Sequence, residues 1–148
     1  WAAAMDSVGT WSTNGKGCGY YKKCSPTYPV RGVCPEGWHL PTKAEFETLI
    51  TAVSGQFTAG KVLKSTSGWR LNNGSDAFAF SALPAGFRDN DGSYYFEGYD
   101  ASFRSSTEDL SLSNSAYHMY LNHYNGNAAL SYASKDVGFS SARRSLSP

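Results

Sequence analysis

The start of a helix is predicted by the segment Cys34-Pro35-Glu36-Gly37-Trp38-His39-Leu40-Pro41-Thr42-Lys43-Ala44-Glu45-Phe46-Glu47-Thr48-Leu49-Ile50. Thr42 and Glu45 have the T-x-x-E spacing of a capping box, and Pro41 fixes the approach of the chain to it. Apolar residues then recur at the spacing of one helical face, which predicts a helix at about residues 42–54 that Gly55 can end. These apolar residues are Phe46, Leu49, Ile50 and Val53.

Loops and one short helix are expected around this first helix. Gly and Pro recur throughout residues 7–33, which favours a loop without regular structure. A second helix is expected near residues 58–64. The Asn-, Gly- and Ser-rich residues 70–77 are expected to form an exposed loop.

Short strands are predicted in the second half of the chain. Phe78 and Phe80 alternate with Ala79, as in a half-buried strand. The turn cluster Asp89-Asn90-Asp91-Gly92 predicts a hairpin between Phe87 and Phe96. Helices followed by short strands make an α+β fold the expected class.

Five further blocks of sequence, in order along the chain, accompany the Cys-Pro-x-Gly-Trp-His-Leu-Pro-Thr motif. Together they resemble the Fibrobacter succinogenes major paralogous domain, a family grouped with C-type-lectin-like and formylglycine-generating-enzyme-like folds. The resemblance implies a C-type-lectin-like domain with short helices, a twisted antiparallel sheet and a non-enzymatic role. The blocks are Trp1–Asp6, Leu63–Trp69, Phe80–Arg88, Tyr95–Tyr99 and Ser105–Glu108.

Both ends of the chain differ from the family pattern. Relatives usually carry a strand-rich segment before the alanine helix that Trp1–Asp6 resembles, and they usually end in Gly-Phe-Ser-Val-Arg-Cys. Here Gly138-Phe139-Ser140 is followed by Ser141-Ala142-Arg143. We therefore expect one domain over residues 1–148, with the N-terminal strand missing and an atypical C-terminus from residue 141. An unpaired sheet edge would then invite completion by another chain or by a copy of this one.

Composition excludes two classes of partner. At 148 residues the chain is long enough for one domain with a single core. A net charge of +1 gives no basic surface of the kind that nucleic acid requires. No apolar run approaches the roughly 20 residues that span a bilayer, so membrane insertion is not expected.

Three cysteines indicate the compartment. Cys18 and Cys24 bracket a short loop, and a disulfide between them would contribute about 2 kcal/mol. A metal site is the alternative, but suitably spaced ligands are too few for the usual zinc patterns. The disulfide is favoured, and it indicates an oxidising compartment and thus a secreted or cell-surface protein, which the family resemblance implies to be bacterial. Because the family's C-terminal cysteine is missing, Cys34 is expected to be a buried free thiol.

A C-terminal hairpin is the predicted binding element. Residues 110–134 contain no Asp, Glu, Lys or Arg, and Asn125-Gly126 is a strong signal for a two-residue turn. That turn would place Tyr120 opposite Ser131 and His118 opposite Ala133. One face of the hairpin then belongs in a core, and it carries Tyr117, Met119, Leu121, Ala128, Leu130 and Tyr132. The other face is the predicted ligand-binding surface, with His118, Tyr120, Asn122, Tyr124, Asn127 and Ser131.

Binding without catalysis is the function that this second face predicts. Tyr offers rigid contact area, and Asn and Ser offer adaptable hydrogen bonds, as in antibody contact surfaces. The ligand is expected to be a polysaccharide or a protein. Some lectin-like relatives are targets of diversity-generating retroelements, so the resemblance also implies a diversified display surface. Two alternatives stay open: ordinary solvent-facing strand residues, or a structural subunit of an assembly whose copies cover this face.

Catalytic and metal sites are not expected. Formylglycine-generating enzymes use a cysteine pair near the C-terminus, whereas this chain has no cysteine after Cys34. His39 is interpreted as a packed core histidine, and His118 and His123 are predicted to point to opposite hairpin faces. The signatures of calcium-dependent sugar-binding lectins are absent, and Asp89–Gly92 lacks the downstream Glu of an EF-hand loop. Structural calcium therefore has no motif to support it, although Asn72, Asn73 and Asp76 could coordinate an ion, and no cofactor is expected. Trp38 and Trp69 are expected in the core.

Overall fold

Two short helices and six strands occupy residues 1–139, the part of the chain that the computed structural model describes. The combination confirms the predicted α+β class. The atypical C-terminus from residue 141 lies outside the described residues. In chain order the elements are α1 (Lys43–Ala52), α2 (Ala59–Leu63), β1 (Phe87–Arg88), β2 (Tyr94–Tyr95), β3 (Asp100–Glu108), β4 (Ser115–Asn122), β5 (Ala128–Ser134) and β6 (Gly138–Phe139).

Helix α1 begins at the predicted capping box. The N–H of Glu45 donates to Thr42 Oγ1 at 3.2 Å, and the N–H of Thr42 donates to Glu45 Oε2 at 2.7 Å. After the helix, Gly55 takes a φ of 82°, and its N–H donates to the carbonyl of Ile50 at 2.8 Å. Local sequence signals therefore set both ends of α1, and the predictions for α1 and α2 are confirmed.

The larger sheet has the antiparallel order β3-β4-β5 and forms one wall of the main core. Alternate residues of β3 and β4, including Phe103, Met119 and Leu121, point towards the two helices. They pack with Phe46 and Ile50 of α1. Burial of such side chains is worth roughly 1.5–3 kcal/mol each and makes this layer the centre of the fold. The remaining buried members of this core are Val53, Ala59, Leu63, Trp69, Ala82, Ala101 and Ala128.

A smaller sheet covers part of the opposite face. Its order is β2-β1-β6, with β1 antiparallel to both neighbours. The β1–β2 hairpin around Asp89–Gly92 is confirmed. Phe139 of β6 lies against His118 of β4, with the ring centroids 4.5 Å apart. The larger sheet is therefore covered on both faces along part of its length.

A second core lies under the N-terminal loops. It contains Trp1, Met5, Cys18, Val30 and Ala116. The Trp1–Asp6 block forms successive turns and not a helix, so the prediction of an alanine helix was wrong. Residues 7–33 contain no helix or strand, as predicted. The Cys18–Cys24 disulfide and the buried free thiol of Cys34 are both confirmed.

Three buried cations connect distant segments of the chain. Lys64, Arg104 and Lys135 each direct N–H donors at backbone carbonyl oxygens from distant parts of the chain. Lys135 also binds the Glu108 carboxylate. A buried charge costs free energy unless its donors find partners, and carbonyl groups of irregular segments supply them to the two lysines. Carbonyls of β4, β5 and Val137 bind the two terminal nitrogens of Arg104, whereas its buried Nε has no hydrogen-bond partner. Loops without a hydrogen-bonded ladder of their own thus gain fixed partners.

Three local predictions fail for physical reasons. Residues 78–80 form no strand, because Ala79 takes a φ of 52°, in the left-handed region that an extended chain cannot use. Trp38 is not in the core and lies at the surface, whereas Trp69 is buried. His39 is only partly buried, and its Nε2 lies 2.7 Å from Glu45 Oε1, so it extends the capping box. Within residues 1–139, neither helix is long and apolar enough to cross a membrane.

Candidate ligand-binding surface

The β4–β5 hairpin closes with a longer loop than the two-residue turn that Asn125-Gly126 predicted. The last paired residues are Leu121 and Ala128, so residues 122–127 form the connection. Asn122 Oδ1 accepts hydrogen bonds from the N–H groups of Tyr124 and Asn125, both at 3.1 Å. This Asx-type turn replaces the expected ladder bonds and corrects the register by two residues. His118 consequently pairs with Ser131, and Tyr120 pairs with Ala129.

A shift of two residues preserves the faces of the hairpin. Met119, Leu121 and Ala128 lie in the main core, as predicted. Tyr132 does not join them: its side chain is 54% exposed and lines a groove beside α1. The alternation of the strand is therefore confirmed, but the extent of the core was overestimated.

Two of the predicted ligand-binding side chains are buried. His118 is 6% exposed and Asn122 is 8% exposed, so the expectation of a fully solvent-facing surface was wrong at these positions. Phe139 covers His118, and burial together with the neighbouring Arg104 guanidinium lowers the pKa of His118 to about 4. The amide of Asn122 is directed at the loop backbone. Neither side chain can contact a ligand without a rearrangement.

The other four predicted residues occupy two separate places. Tyr124 is 60% exposed at the tip of the loop, and Tyr120 is half-buried beside it. Asn127 is partly buried, and its N–H donates to Asn125 Oδ1 at 2.9 Å. Ser131 lies further along β5, where it lines a groove beside α1. The structure thus brings Tyr120 and Tyr124 together and separates them from Ser131.

Tyr124 is one end of a continuous row of rings at the surface. Neighbouring ring centroids are 4.4 Å apart for Tyr124 and His123, 4.8 Å for His123 and Tyr99, and 6.3 Å for Tyr99 and Phe96. The row continues through Phe87, which lies 5.7 Å from Phe96 and 5.8 Å from Tyr95. We call these six residues the aromatic strip: Tyr124, His123, Tyr99, Phe96, Phe87 and Tyr95.

Exposed rings alternate with supporting rings along the aromatic strip. Phe96 is 53% exposed and Tyr95 is 43% exposed, whereas Tyr99, His123 and Phe87 are partly buried. Such contacts fix the orientation of each ring beyond the effect of burial alone. The strip therefore presents preformed apolar faces to solvent without depending on one central pocket.

Polar groups border the aromatic strip. The Arg70 guanidinium lies 5.0 Å from the centroid of the Tyr99 ring and donates to the Tyr99 hydroxyl. Asp100 and Tyr120 lie next to one another, and burial raises the pKa of both groups. The Asp100 carboxylate raises the pKa of the Tyr120 hydroxyl further, so that hydroxyl stays protonated and donates its hydrogen bond to the carboxylate. The border thus offers a guanidinium, a carboxylate and a phenol for hydrogen bonds.

Most of the aromatic strip was missed by sequence reasoning. Tyr95, Phe96 and Tyr99 are clustered in the sequence, but they served only as a family signature. Arg70 and Asp100 carry no local signal, because the fold alone brings them beside Tyr99 and Tyr120. A search for exposed aromatic clusters near the charge-free hairpin would have found the Tyr95–Tyr99 block.

The candidate metal ligands of the sequence are used within the protein. Asn73 Oδ1 accepts a hydrogen bond from the Trp69 N–H at 3.0 Å. The Asp76 carboxylate accepts from the N–H and hydroxyl of Ser81, both at 2.6 Å. Asn72 contributes its carbonyl oxygen to the Lys64 ammonium. In residues 1–139 there is no cluster of three or more His, Cys, Asp or Glu side chains arranged to hold a metal ion.

The family model of the Fibrobacter succinogenes major domain matches residues 2–140, which is nearly the whole chain. The chain belongs to this family. No curated protein and no solved structure matches it. The matched range of this Fibrobacter succinogenes major domain includes all six residues of the aromatic strip.

Proposed function

We propose that the domain is a non-catalytic binding module that holds an extended polysaccharide chain on the aromatic strip. The observation that carries the proposal is the row of six rings with neighbouring centroids 4.4 to 6.3 Å apart. Sugar rings present C–H faces that pack on aromatic rings, while their hydroxyls need hydrogen-bond partners. Sites for such ligands combine apolar contact area with a few placed polar groups. Here the apolar contact area comes from Tyr124, Phe96 and Tyr95. The polar groups are those of Arg70, Asp100 and Tyr120.

A polysaccharide is favoured over a protein ligand by the shape of the surface. Binding energy at protein interfaces is concentrated in a central, well-packed group of residues surrounded by a rim. Here the exposed rings follow one another in a row, with supporting rings between them. A chain of repeating units can contact each exposed ring with the same apolar face. We further propose that the module is secreted or at the cell surface of a bacterium, which the Cys18–Cys24 disulfide supports. We also propose that the two sheets have a C-type-lectin-like arrangement.

Affinity electrophoresis tests this proposal directly. The domain is run in native gels that contain soluble neutral or acidic polysaccharides, with and without a chelator. We expect retardation by at least one polysaccharide, lost in the Tyr124→Ala/Phe96→Ala double variant. The matched control is Trp11→Ala, which removes a 63% exposed ring from the N-terminal loops. Equal migration of all proteins in every gel would refute the proposal.

A second candidate function, a subunit of a surface assembly, is favoured by the free edge of β5. Within the described residues β5 pairs only with β4, and its sequence Ala128–Ser134 has no charge and no Pro. The N–H of Ala128 points away from β4 and donates to the carbonyl of Gln56 at 2.8 Å. By the alternation of an antiparallel strand, the backbone groups of Leu130 and Tyr132 also point outwards. Natural edges usually carry charge, Pro or bulges, and an edge without them is suited to pairing.

The two candidates give different masses in solution. If copies pair through β5, sedimentation velocity should show a species that grows with protein concentration. Ser131→Lys places a charge on this edge and should restore the monomer, whereas Tyr124→Ala should not. A monomer at every concentration would exclude the assembly role of β5 and leave the polysaccharide proposal unaffected.

A further inference from the structure

A buried lysine lies directly beneath the loop that carries Tyr124. Lys64 is 0% exposed, and its Nζ donates to the carbonyl oxygens of Asn72 at 2.6 Å, Asn122 at 3.1 Å and Asn125 at 3.0 Å. The ring of Trp69 lies 4.8 Å from the same ammonium. None of the ion pairs among residues 1–139 includes Lys64. The ammonium is therefore held by neutral oxygens and one aromatic ring.

The hydrogen-bond inventory of this ammonium is complete. A lysine ammonium has three N–H donors, and three carbonyl oxygens accept them here. Full satisfaction is what makes a buried charge tolerable. Backbone carbonyl oxygens are also the kind of ligand that hard cations such as Ca²⁺ bind in proteins. We call the carbonyl oxygens of Asn72, Asn122 and Asn125 the oxygen cradle. The cation bound in it is the ammonium of Lys64, a part of the chain itself.

The cradle joins the two segments that fix Tyr124. Asn72 Nδ2 donates to the carbonyl of Tyr124 at 3.0 Å, and the N–H of Tyr124 donates to Asn122 Oδ1 at 3.1 Å. Both of these asparagines also give their own carbonyl oxygens to Lys64. The backbone of Tyr124 is therefore held on both sides by residues that the ammonium holds in turn.

We propose that Lys64 is the positioning residue of the aromatic strip, an internal cation that takes the role of a bound metal ion in fixing the ligand-binding loop. The effect of Lys64 on ligand binding rests on the proposed function, whereas the positioning of the loop is a property of the free protein. All three contacts of the ammonium are to backbone carbonyls, and Tyr124 itself is held through its backbone, so the cradle does not use the Tyr124 side chain. The exposed side chain at position 124 can therefore change while the backbone of the loop stays in place.

Chemical rescue of a truncated lysine tests this proposal. Lys64→Ala removes the Cγ–Cδ–Cε–Nζ stem, whose atoms n-propylammonium replaces one for one. The readout is amide hydrogen exchange of Tyr124 and Asn125, compared with His118 and Met119 in the middle of β4. We expect exchange at the loop amides to rise about tenfold or more while the β4 amides stay protected. Added n-propylammonium should restore the loop, and n-propanol, which has the same length without charge, should not.

Two companion variants keep the test decisive. Lys64→Met keeps most of the buried stem and removes the ammonium, so it should loosen the loop even if Lys64→Ala does not fold. Lys61→Met removes a charge from the exposed side of α2 and should change nothing. Loop exchange that is unchanged in Lys64→Met, or global unfolding of Lys64→Met, would overturn the assignment. The first result would show that the ammonium is dispensable, and the second that it supports the whole domain and not the loop.

Failure of this inference and failure of the proposed function are distinguishable. Hydrogen exchange needs no ligand, so it reports on positioning even if no polysaccharide binds. If a polysaccharide does bind, Lys64→Met should weaken binding by about tenfold or more, and n-propylammonium should restore binding in Lys64→Ala only. Polysaccharide binding that is unaffected by a loosened loop would contradict the role of Lys64 without contradicting the binding function.

Discussion

The imidazole of His118 is stacked on the ring of Phe139, with the centroids 4.5 Å apart and the planes inclined by 13°. This contact places β6 over the face of β4 that the sequence alone predicted to be exposed. It also separates the hairpin into a covered half around His118 and an open half around Tyr120 and Tyr124. The candidate binding surface is the open half, continued by the aromatic strip.

Burial of His118 in the covered half is expected to make the stability of the fold sensitive to acid. The folded pKa of His118 is about 4 against an ordinary value of 6.5, so the fold favours the neutral imidazole. Stability from this group is fully present above pH 6.5 and is lost as the pH falls towards 4. The loss amounts to roughly 3 kcal/mol by linkage. Urea unfolding followed across this pH range measures it.

A His118→Phe variant is the control for acid sensitivity. It keeps a ring against Phe139, and it removes a buried Nδ1 that has no hydrogen-bond partner. Carboxyl groups contribute the same acid dependence to both proteins. The difference in unfolding free energy between them should therefore change with pH only through His118. A constant difference between pH 6.5 and pH 4 would contradict the burial of a neutral His118.

The capping box of α1 should have a measurable effect on stability. Thr42→Ala removes the Oγ1 that accepts from the Glu45 N–H, and it should lower the unfolding free energy by about 1 kcal/mol. Glu47→Ala removes only an exposed ion pair with Lys43, of 3.3 Å, and should change stability by less than about 0.5 kcal/mol. Thermal or urea unfolding of the two variants measures this difference in the free energy of unfolding. Equal effects of the two substitutions would mean that the box does not stabilise α1.

Asn122 should act as a support for the loop and not as a ligand contact. Asn122→Ala removes the acceptor of two loop N–H groups and should cost about 1–3 kcal/mol. Tyr124→Ser, by contrast, removes an exposed ring and should change stability by less than about 0.5 kcal/mol. Unfolding curves of the two variants provide the comparison. A larger loss of stability in Tyr124→Ser would reverse the assignment of support and display.

Thiol chemistry tests the cysteine arrangement. In the native protein the Cys18–Cys24 disulfide and the burial of Cys34 should leave no rapidly reactive thiol. Denaturation without reductant should expose one thiol, and reduction should then expose three. Breaking the disulfide should lower stability by about 2 kcal/mol. Three thiols in the denatured, unreduced protein would exclude the disulfide and remove the support for an oxidising compartment.

Local structure could be predicted from the sequence where neighbouring residues decide it. The Thr42–Glu45 box and the Asp89–Gly92 turn act within a few residues, and both were found where the sequence placed them. The Cys18–Cys24 pair closes a short loop, and it too could be predicted. Strand alternation in β4 and β5 gave the correct faces, because a side chain can only point to one side or the other.

Long-range contacts explain the predictions that failed. Asn125-Gly126 favours a tight turn, but the Lys64 ammonium and the Asn122 amide hold the loop in a wider form. The burial of His118 depends on Phe139, which arrives from a separate sheet. No local sequence pattern predicts that Lys64 is buried against backbone carbonyls. These are tertiary effects that override local preference, and they also form the candidate site.

The aromatic strip is proposed to hold a polysaccharide chain along its length. Isothermal titration with a length series of oligosaccharides from the polysaccharide that retards the domain, from the disaccharide to the hexasaccharide, tests it most directly. We predict that affinity rises with chain length and that Tyr124→Ala and Phe96→Ala each remove part of this rise. An affinity that is the same for all lengths, or that both substitutions leave unchanged, would contradict polysaccharide binding along the strip.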